Sequence, residues 1–444
     1  MKISMINRNL NRYTWDHLMV SFWFIPLIMS AVAVLLAWMM YWADGHLALQ
    51  NTRFIIAGGT TDVLRGILVA MATTILTTAG VVFTLLTLPL STVAAQYGSR
   101  LLRIFLGDKI TQFVLGMFVG TFVYCITAAL IILPPQIQPE GPQITATFGM
   151  FLLLATFASL ILLVQHISTM LQAPNIAAAA GIELMNVAQG EPRSEYQGDG
   201  KGDGDLAGQD FSKKSDGYQI FSKRTGYIKY IDPEYILTLT IDHDLVIRLL
   251  RKPGHFINAG MPIAIVWPAD RIDEKLDKKI RDTFHLGNQR TPTQDVEYAV
   301  NQLSEMAVRA MSPAINDPFT AMNCLDYMIE GLVIFARRKG ENPCIHDRDG
   351  RLRVIFDPVS FDELLNAAFN MLRHASCDNV EVLIHMLDGI GTIDLEMQSP
   401  EIHQKLLRHV RLIEEESKVG ALIKEDRDAI RVKCESLQIL GSYQ

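Results

Sequence analysis

The residues most open to chemistry in this chain are hydroxyls. Thr73, Thr77, Thr84, Thr87 and Ser91 recur among Gly66, Ala70, Gly80, Ala94 and Gly98 within one apolar stretch. Steps of three and four place them along one flank of an α-helix, with Leu68, Ile75, Val82, Leu86 and Val93 on the opposite flank. In a bilayer such a flank has two uses. Small residues let helix backbones approach while hydroxyls bond across the interface, or the same oxygens face water and ions without the cost of a buried charge. Thr73, Thr77, Gly80, Thr84, Thr87 and Ser91 are therefore candidate pore-lining or helix-interface residues. Periodicity leaves both readings open, and each hydroxyl can also bond the carbonyl one turn back.

The stretch is one of four long uncharged apolar runs, 18–42, 66–90, 110–133 and 144–164, in a chain of 444 residues. Each satisfies the requirement of about 20 residues for a membrane-crossing helix. The first run is too long for a signal-peptide core and no small-residue cleavage pattern follows it, so it is expected to be retained. Lys2, Arg8 and Arg12 precede the first run, Arg100, Arg103 and Lys109 lie between the second and third, and the other two loops hold only Arg53 and, immediately before the second run, Arg65. That bias predicts both termini in the cytoplasm. Trp15, Trp38, Tyr41 and Trp42 are expected interfacial anchors. Arg100 and Arg103, on an amphipathic stretch after the second run, are candidates for a pathway's cytoplasmic mouth or for binding lipid phosphates.

No Asp, Glu, Lys, Arg or His lies within the four runs, which disfavours ion-coupled pumping. A passive hydroxyl-lined route stays open, and with only four helices per chain it requires oligomerisation around the second. Gly116-x-x-x-Gly120 in the third run is a close-packing pattern of low specificity. Pro89 removes a helical donor and could kink the second run.

The predicted class is a membrane α-helical domain of four transmembrane helices followed by a cytoplasmic α+β region, a small β-module plus a helical bundle. The expected divisions are 1–165 for the membrane domain, 166–188 for a connecting helix, 189–217 for a flexible Gly/Asp/Ser-rich linker, 218–270 for the β-module and 271–444 for mainly helical sequence. Within the β-module, Asp232-Pro233-Glu234 predicts a short interrupting helix. The run from Gly254 to Pro262 looks like half of a biotinyl- or lipoyl-type sandwich, but has no Met-Lys attachment site. Thr291 to Gln294 and Ser360 to Glu363 predict capping boxes, and Ser399-Pro400 predicts an N-cap with Pro at N1. Cys344 to Phe356 predicts a hairpin around Asp349-Gly350; Asp347 and Asp349 lack the full spacing of a calcium loop.

The segment Ser312-Pro-Ala-Ile-Asn316-Asp317-Pro-Phe-Thr-Ala321 predicts a sharp helix corner, with Pro313 ending one helix and Asp317 capping the next. Arg290, Asp295, Arg309, Asn316 and Asp317 are candidates for converging there on a polar ligand or a neighbouring subunit. Cys125, Cys324, Cys344, Cys377 and Cys434 form no CxxC pair, so neither disulfides nor a metal site is expected. A net charge of -7 argues against a nucleic-acid partner. No phosphate loop, nucleophile elbow or His-Glu metal motif is present, so no enzyme activity and no cofactor are expected. His374, His385, His403 and His409 sit in helical patterns, where packing or surface roles are the default.

The helix-corner segment, with Gly287 to Asp295 upstream and the threonine-rich second run, resembles the domain-of-unknown-function family twenty-two fifty-four, predicted bacterial membrane proteins. The resemblance extends over nearly the whole chain and is expected to lapse between 189 and 217. It implies an integral inner-membrane protein with a cytoplasmic C-terminal region and supplies no catalytic residue. The sequence therefore points to a channel-like passive pathway lined by the second helix and regulated by its cytoplasmic part. The alternative is a non-conducting anchor or sensor that recruits a partner. Expected partners are membrane lipid, other copies of the chain and an unidentified cytoplasmic ligand or protein.

Overall fold

A computed structural model describes residues 23–46, 59–96, 98, 107–132, 142–190, 216–338 and 343–440. Arg100, Arg103 and nearly all of the expected linker lie outside the described residues. The chain is mostly helical with a small sheet region and forms two compact units, Met1–Ile176 and Ala177–Gln444.

The first unit contains α1 (Phe24–His46), α2 (Thr61–Gln96), α3 (Lys109–Ile131) and α4 (Gln143–Met170). Each is long and apolar enough to cross a membrane, as is a helix at Pro318–Ala336 in the second unit. Helix α3 is the most buried of the four, and α1 lies close along it at Gly116 and Gly120, which carry no side chain. A Cβ on Gly116 would press into the Met29 side chain and meet Pro26, whereas one on Gly120 would make only ordinary contact with Met29. Helix α2 runs on through position 89 as one element of 36 residues.

Polar groups tie this unit together where helix ends leave backbone groups unbonded. Asp44, near the end of α1, accepts from the amides of Ile144 at 2.8 Å and Thr145 at 2.9 Å, capping α4. Arg65, in the first turns of α2, donates to the carbonyls of Ala129 at 3.0 Å and Ile132 at 2.7 Å, which end α3. Asp108 caps α3 through the Thr111 amide at 2.7 Å and faces His166 of α4 at 3.0 Å. Midway, the buried hydroxyls of Thr121 and Thr156 pair at 2.8 Å, and the Tyr124 hydroxyl donates to the Thr145 carbonyl at 2.9 Å.

The second unit begins within α5 (Ala173–Gln189) and contains strands β1 (Tyr218–Phe221), β2 (Gly226–Ile231), β3 (Val246–Leu249), β4 (Phe256–Ile257), β5 (Pro262–Trp267) and β6 (Phe284–Gly287). Between them lie α6 (Pro233–Asp242) and α7 (Glu274–Asp282). Asp232 caps α6 through the Tyr235 amide with Pro233 at the first turn, so the short helix interrupts the strands where the Asp-Pro pair predicts it.

A hairpin of β7 (Cys344–His346) and β8 (Leu352–Ile355) completes the five-stranded sheet β1-β5-β3-β8-β7, with β8 parallel to β3; a smaller sheet runs β4-β2-β6. The sheets thus draw strands from beyond residue 270. Ile220, Ile247 and Val266 of the larger sheet share a core with Ile228 and Ile257 of the smaller. The hairpin turn is closed by Asp347, which accepts from the amides of Asp349 at 3.0 Å and Arg351 at 2.9 Å. Its other oxygen holds the buried Arg353 guanidinium at 2.8 Å, and Arg353 also reaches Asp244 at 2.8 Å. That arrangement makes Asp347 a turn residue, and among the described residues no group of three or more His, Cys, Asp or Glu is placed to hold a metal ion.

The helical part comprises α8 (Val296–Ala310), α9 (Pro318–Ala336), α10 (Phe361–Ala375), α11 (Val380–Met397), α12 (Pro400–Val419) and α13 (Lys424–Leu440). Ser360 and Glu363 form the expected reciprocal cap on α10. Ser360→Ala is expected to cost about 1 kcal/mol, read as about a fivefold loss of hydrogen-exchange protection in the first turn of α10. Thr291 does not cap α8, contrary to the sequence reading. Asp295 takes that place, and Gln294 bonds both the amide and the carbonyl of Ile231, at 3.0 and 3.1 Å, at the end of β2 just past its register shift with β6. Ser399 likewise starts α12 without a side-chain bond.

Candidate functional site

Helix α2 has two flanks of opposite character. Leu64, Leu68, Ile75, Val82 and Val93 are at most 1% exposed and pack within the unit. Thr73, Thr77, Gly80, Thr84, Thr87 and Ser91 lie on the other side and are exposed, as are Gly66 and Ala70. Among the described residues, no helix of the same chain covers the hydroxyl flank. Leu76 and Leu88 border it and are also exposed, so the polar strip runs along an otherwise apolar outer surface.

The hydroxyl protons are committed inward. Thr73 donates to the Val69 carbonyl and Thr77 to that of Thr73, both at 2.9 Å; Thr84 donates to Gly80 and Thr87 to Thr84, both at 3.1 Å. A hydroxyl whose proton is bonded to its own helix has no unsatisfied donor and turns acceptor lone pairs outward. Such a surface suits water or a cation and tolerates lipid.

The polar residues of the second unit do not form one cluster. Arg290 makes a fork on Asp295, Nε to Oδ2 at 2.7 Å and Nη2 to Oδ1 at 2.8 Å, and reaches Glu297 at 3.3 Å. Asp295 is buried and also caps α8 through the Tyr298 amide at 3.0 Å. Burial works against the charge on Arg290, but its bonds to Asp295 and then Glu297 outweigh that and hold its pKa above the ordinary arginine value. The Pro253-Gly254 turn seats on this pair. Gly254 has a positive φ of 89°, and any Cβ there would collide with the Asp295 carboxylate.

Arg309, Asn316 and Asp317 lie at the far end of α8, whose 15 residues separate the two groups by about 22 Å. The expected convergence therefore fails, because the residues sit at opposite ends of one rigid rod. At the corner, Arg309 pairs with Glu305 at 3.1 Å, Asn316 takes a φ of 47°, and the Asp317 amide donates to the Ala310 carbonyl at 2.8 Å while its side chain caps α9. Arg309 and Asp317 there thus have structural partners in the helices that they flank.

Residues 20–392 match the family described as predicted membrane protein, DUF2254. The chain belongs to that family. Uncharacterized proteins of Mycobacterium bovis and Mycobacterium tuberculosis are each 25% identical over 370 residues, which is 80% of this chain and 68% of theirs. No solved structure matches. The DUF2254 match takes in the hydroxyl flank and the Arg290–Asp295 pair and ends within α11, before α12 and α13. Sequence reading missed Asp44, Arg65, Asp108 and His166, whose partners lie far along the chain. Only Asp108, three residues before Thr111, carries a local capping signal.

Proposed function

We propose that this DUF2254 protein is a four-span inner-membrane protein with both termini cytoplasmic, assembled from several copies around a passive pathway lined by α2 and regulated by its second unit. The observation that carries the reading is the outward hydroxyl flank of α2, set opposite the flank that packs within the chain. Its surroundings must be lipid, another copy or water. The loop charges noted above support the orientation. Helix α9 is assigned to the core of the second unit because Cys324, Leu325, Met328 and Leu332 are fully buried among neighbouring helices.

The purified protein in liposomes tests the pathway. Thr77→Leu and Thr84→Leu are each expected to lower ion flux about fivefold by removing an oxygen worth about 1 kcal/mol, with assembly intact. Absence of flux from the parent protein across voltage, tension and added cytosolic ligands removes the basis of the channel reading.

The inward-bonded threonine protons favour a second reading, a non-conducting anchor or sensor whose hydroxyl flank rests in lipid and whose second unit recruits a partner. In that case the same substitutions leave membrane behaviour unchanged. Neither reading assigns a catalytic role to any residue.

A further inference from the structure

The helix that leaves α4 is keyed into the second unit by two reciprocal contacts. Gly181 of α5 receives the Tyr327 ring of α9, and Gly331 of α9 receives the Leu184 side chain of α5; a Cβ on either glycine would overlap its guest. Each helix offers one hole and one knob, so sliding or rotating either rod requires both knobs to leave together. Arg338, just past α9, donates to the Val187 carbonyl at 2.8 Å and so caps the end of α5. Ala177, Ala180, Leu184 and Ala188 form the buried face of α5.

The start of α5 is also bonded. Pro174 cannot continue α4, which ends at Met170. The break is bridged rather than left loose: the Gln172 amide donates to the Thr169 carbonyl at 3.2 Å, the Ile176 amide to Gln172 at 3.2 Å, and the Asn175 side chain to the same Thr169 carbonyl at 2.6 Å.

We propose that α5 is a coupling strut: it passes displacement of the fourth span to α9, which makes α9 the helix through which the second unit senses or controls the membrane part. The inference rests on the reading that the second unit regulates the spans. It explains why an α9 apolar enough to cross a membrane is instead notched with glycine at position 331. Helix α9 in turn packs on α8, α10 and α11, so a shift at the key reaches the whole helical part.

Hydrogen exchange of the full chain in lipid vesicles tests the coupling by a cycle of substitutions. Asn175→Ala loosens the junction without touching α9, and Leu184→Ala with Tyr327→Ala removes the knobs. Asn175→Ala is expected to raise exchange in α9 about threefold, consistent with loss of one hydrogen bond, and to add nothing once the knobs are gone. Unchanged α9 exchange in Asn175→Ala, or purely additive effects, overturns the strut. Strands β1 to β6 report whether the knobless chain is folded; if it is not, Leu184→Ala alone takes its place. No flux is read, so a non-conducting protein leaves this outcome independent of the channel reading.

Discussion

Asp295→Ala is expected to destabilise the second unit by about 3 kcal/mol. The carboxylate does two things at once. It caps α8 through the Tyr298 amide, a contribution of about 1 kcal/mol, and it anchors the half-buried Arg290 by a two-bond fork. Removing it leaves that guanidinium with Glu297 alone, at the cost of about 2 kcal/mol more. Asp295→Asn keeps a capping oxygen and loses the charge, so it is expected to fall between parent and alanine variant. Thermal unfolding of the purified chain, followed on peptides of α8 and of the Pro253-Gly254 turn, checks both values. A change within 0.5 kcal/mol for alanine, about that of an ordinary surface substitution, would mean that the fork contributes nothing.

The second large effect concerns acid. His409 is fully buried in α12 against Phe369, and among the described residues neither ring nitrogen has a hydrogen-bond partner. Burial first, then Arg408 and Arg373, push its pKa down to about 4, with Asp362 opposing. The unfolded chain, near 6.5 for this group, therefore takes up the proton first. Stability from His409 is complete above about pH 6.5 and falls as pH drops toward 4, by about 3 kcal/mol. His409→Leu is expected to abolish that part of the acid loss. It should also stabilise the protein at pH 7 by about 1 to 2 kcal/mol, since it removes two unsatisfied polar atoms at similar volume. Comparing parent and variant across the pH series isolates His409 from His374, His385 and His403, each of which faces a carboxylate. Parallel curves for the two would refute the assignment.

What was legible in the sequence was local. Asp232, Asp317 and Ser360 cap helices within three residues of themselves, and the flanks of α2 follow from helical periodicity alone. What was not legible depends on partners distant in the chain. The parallel pairing of β3 with β8, the reach of Asp44 to Thr145, and the capture of Gln294 by Ile231 have no local signature. Gln294 shows the competition directly, because two bonds to an irregular strand displaced the capping role that its spacing suggested. The polar candidates around α8 share a segment of sequence but are held apart by the length of the helix between them. The outward direction of the threonines follows from where the apolar flank finds partners, and only the packed fold reveals that.

The length of α2 has its own consequence. Thirty-six residues make a rod of about 54 Å, against a hydrocarbon slab of about 30 Å. Upright, it would overhang the oily layer by several turns, whereas the hydroxyl row from Thr73 to Ser91 would extend over about 27 Å, close to the full thickness of that layer. In that orientation Thr77 and Gly80, near its midpoint, would lie at the depth of the lipid tails, and Gly66 and Ser91 would approach the headgroups of opposite leaflets.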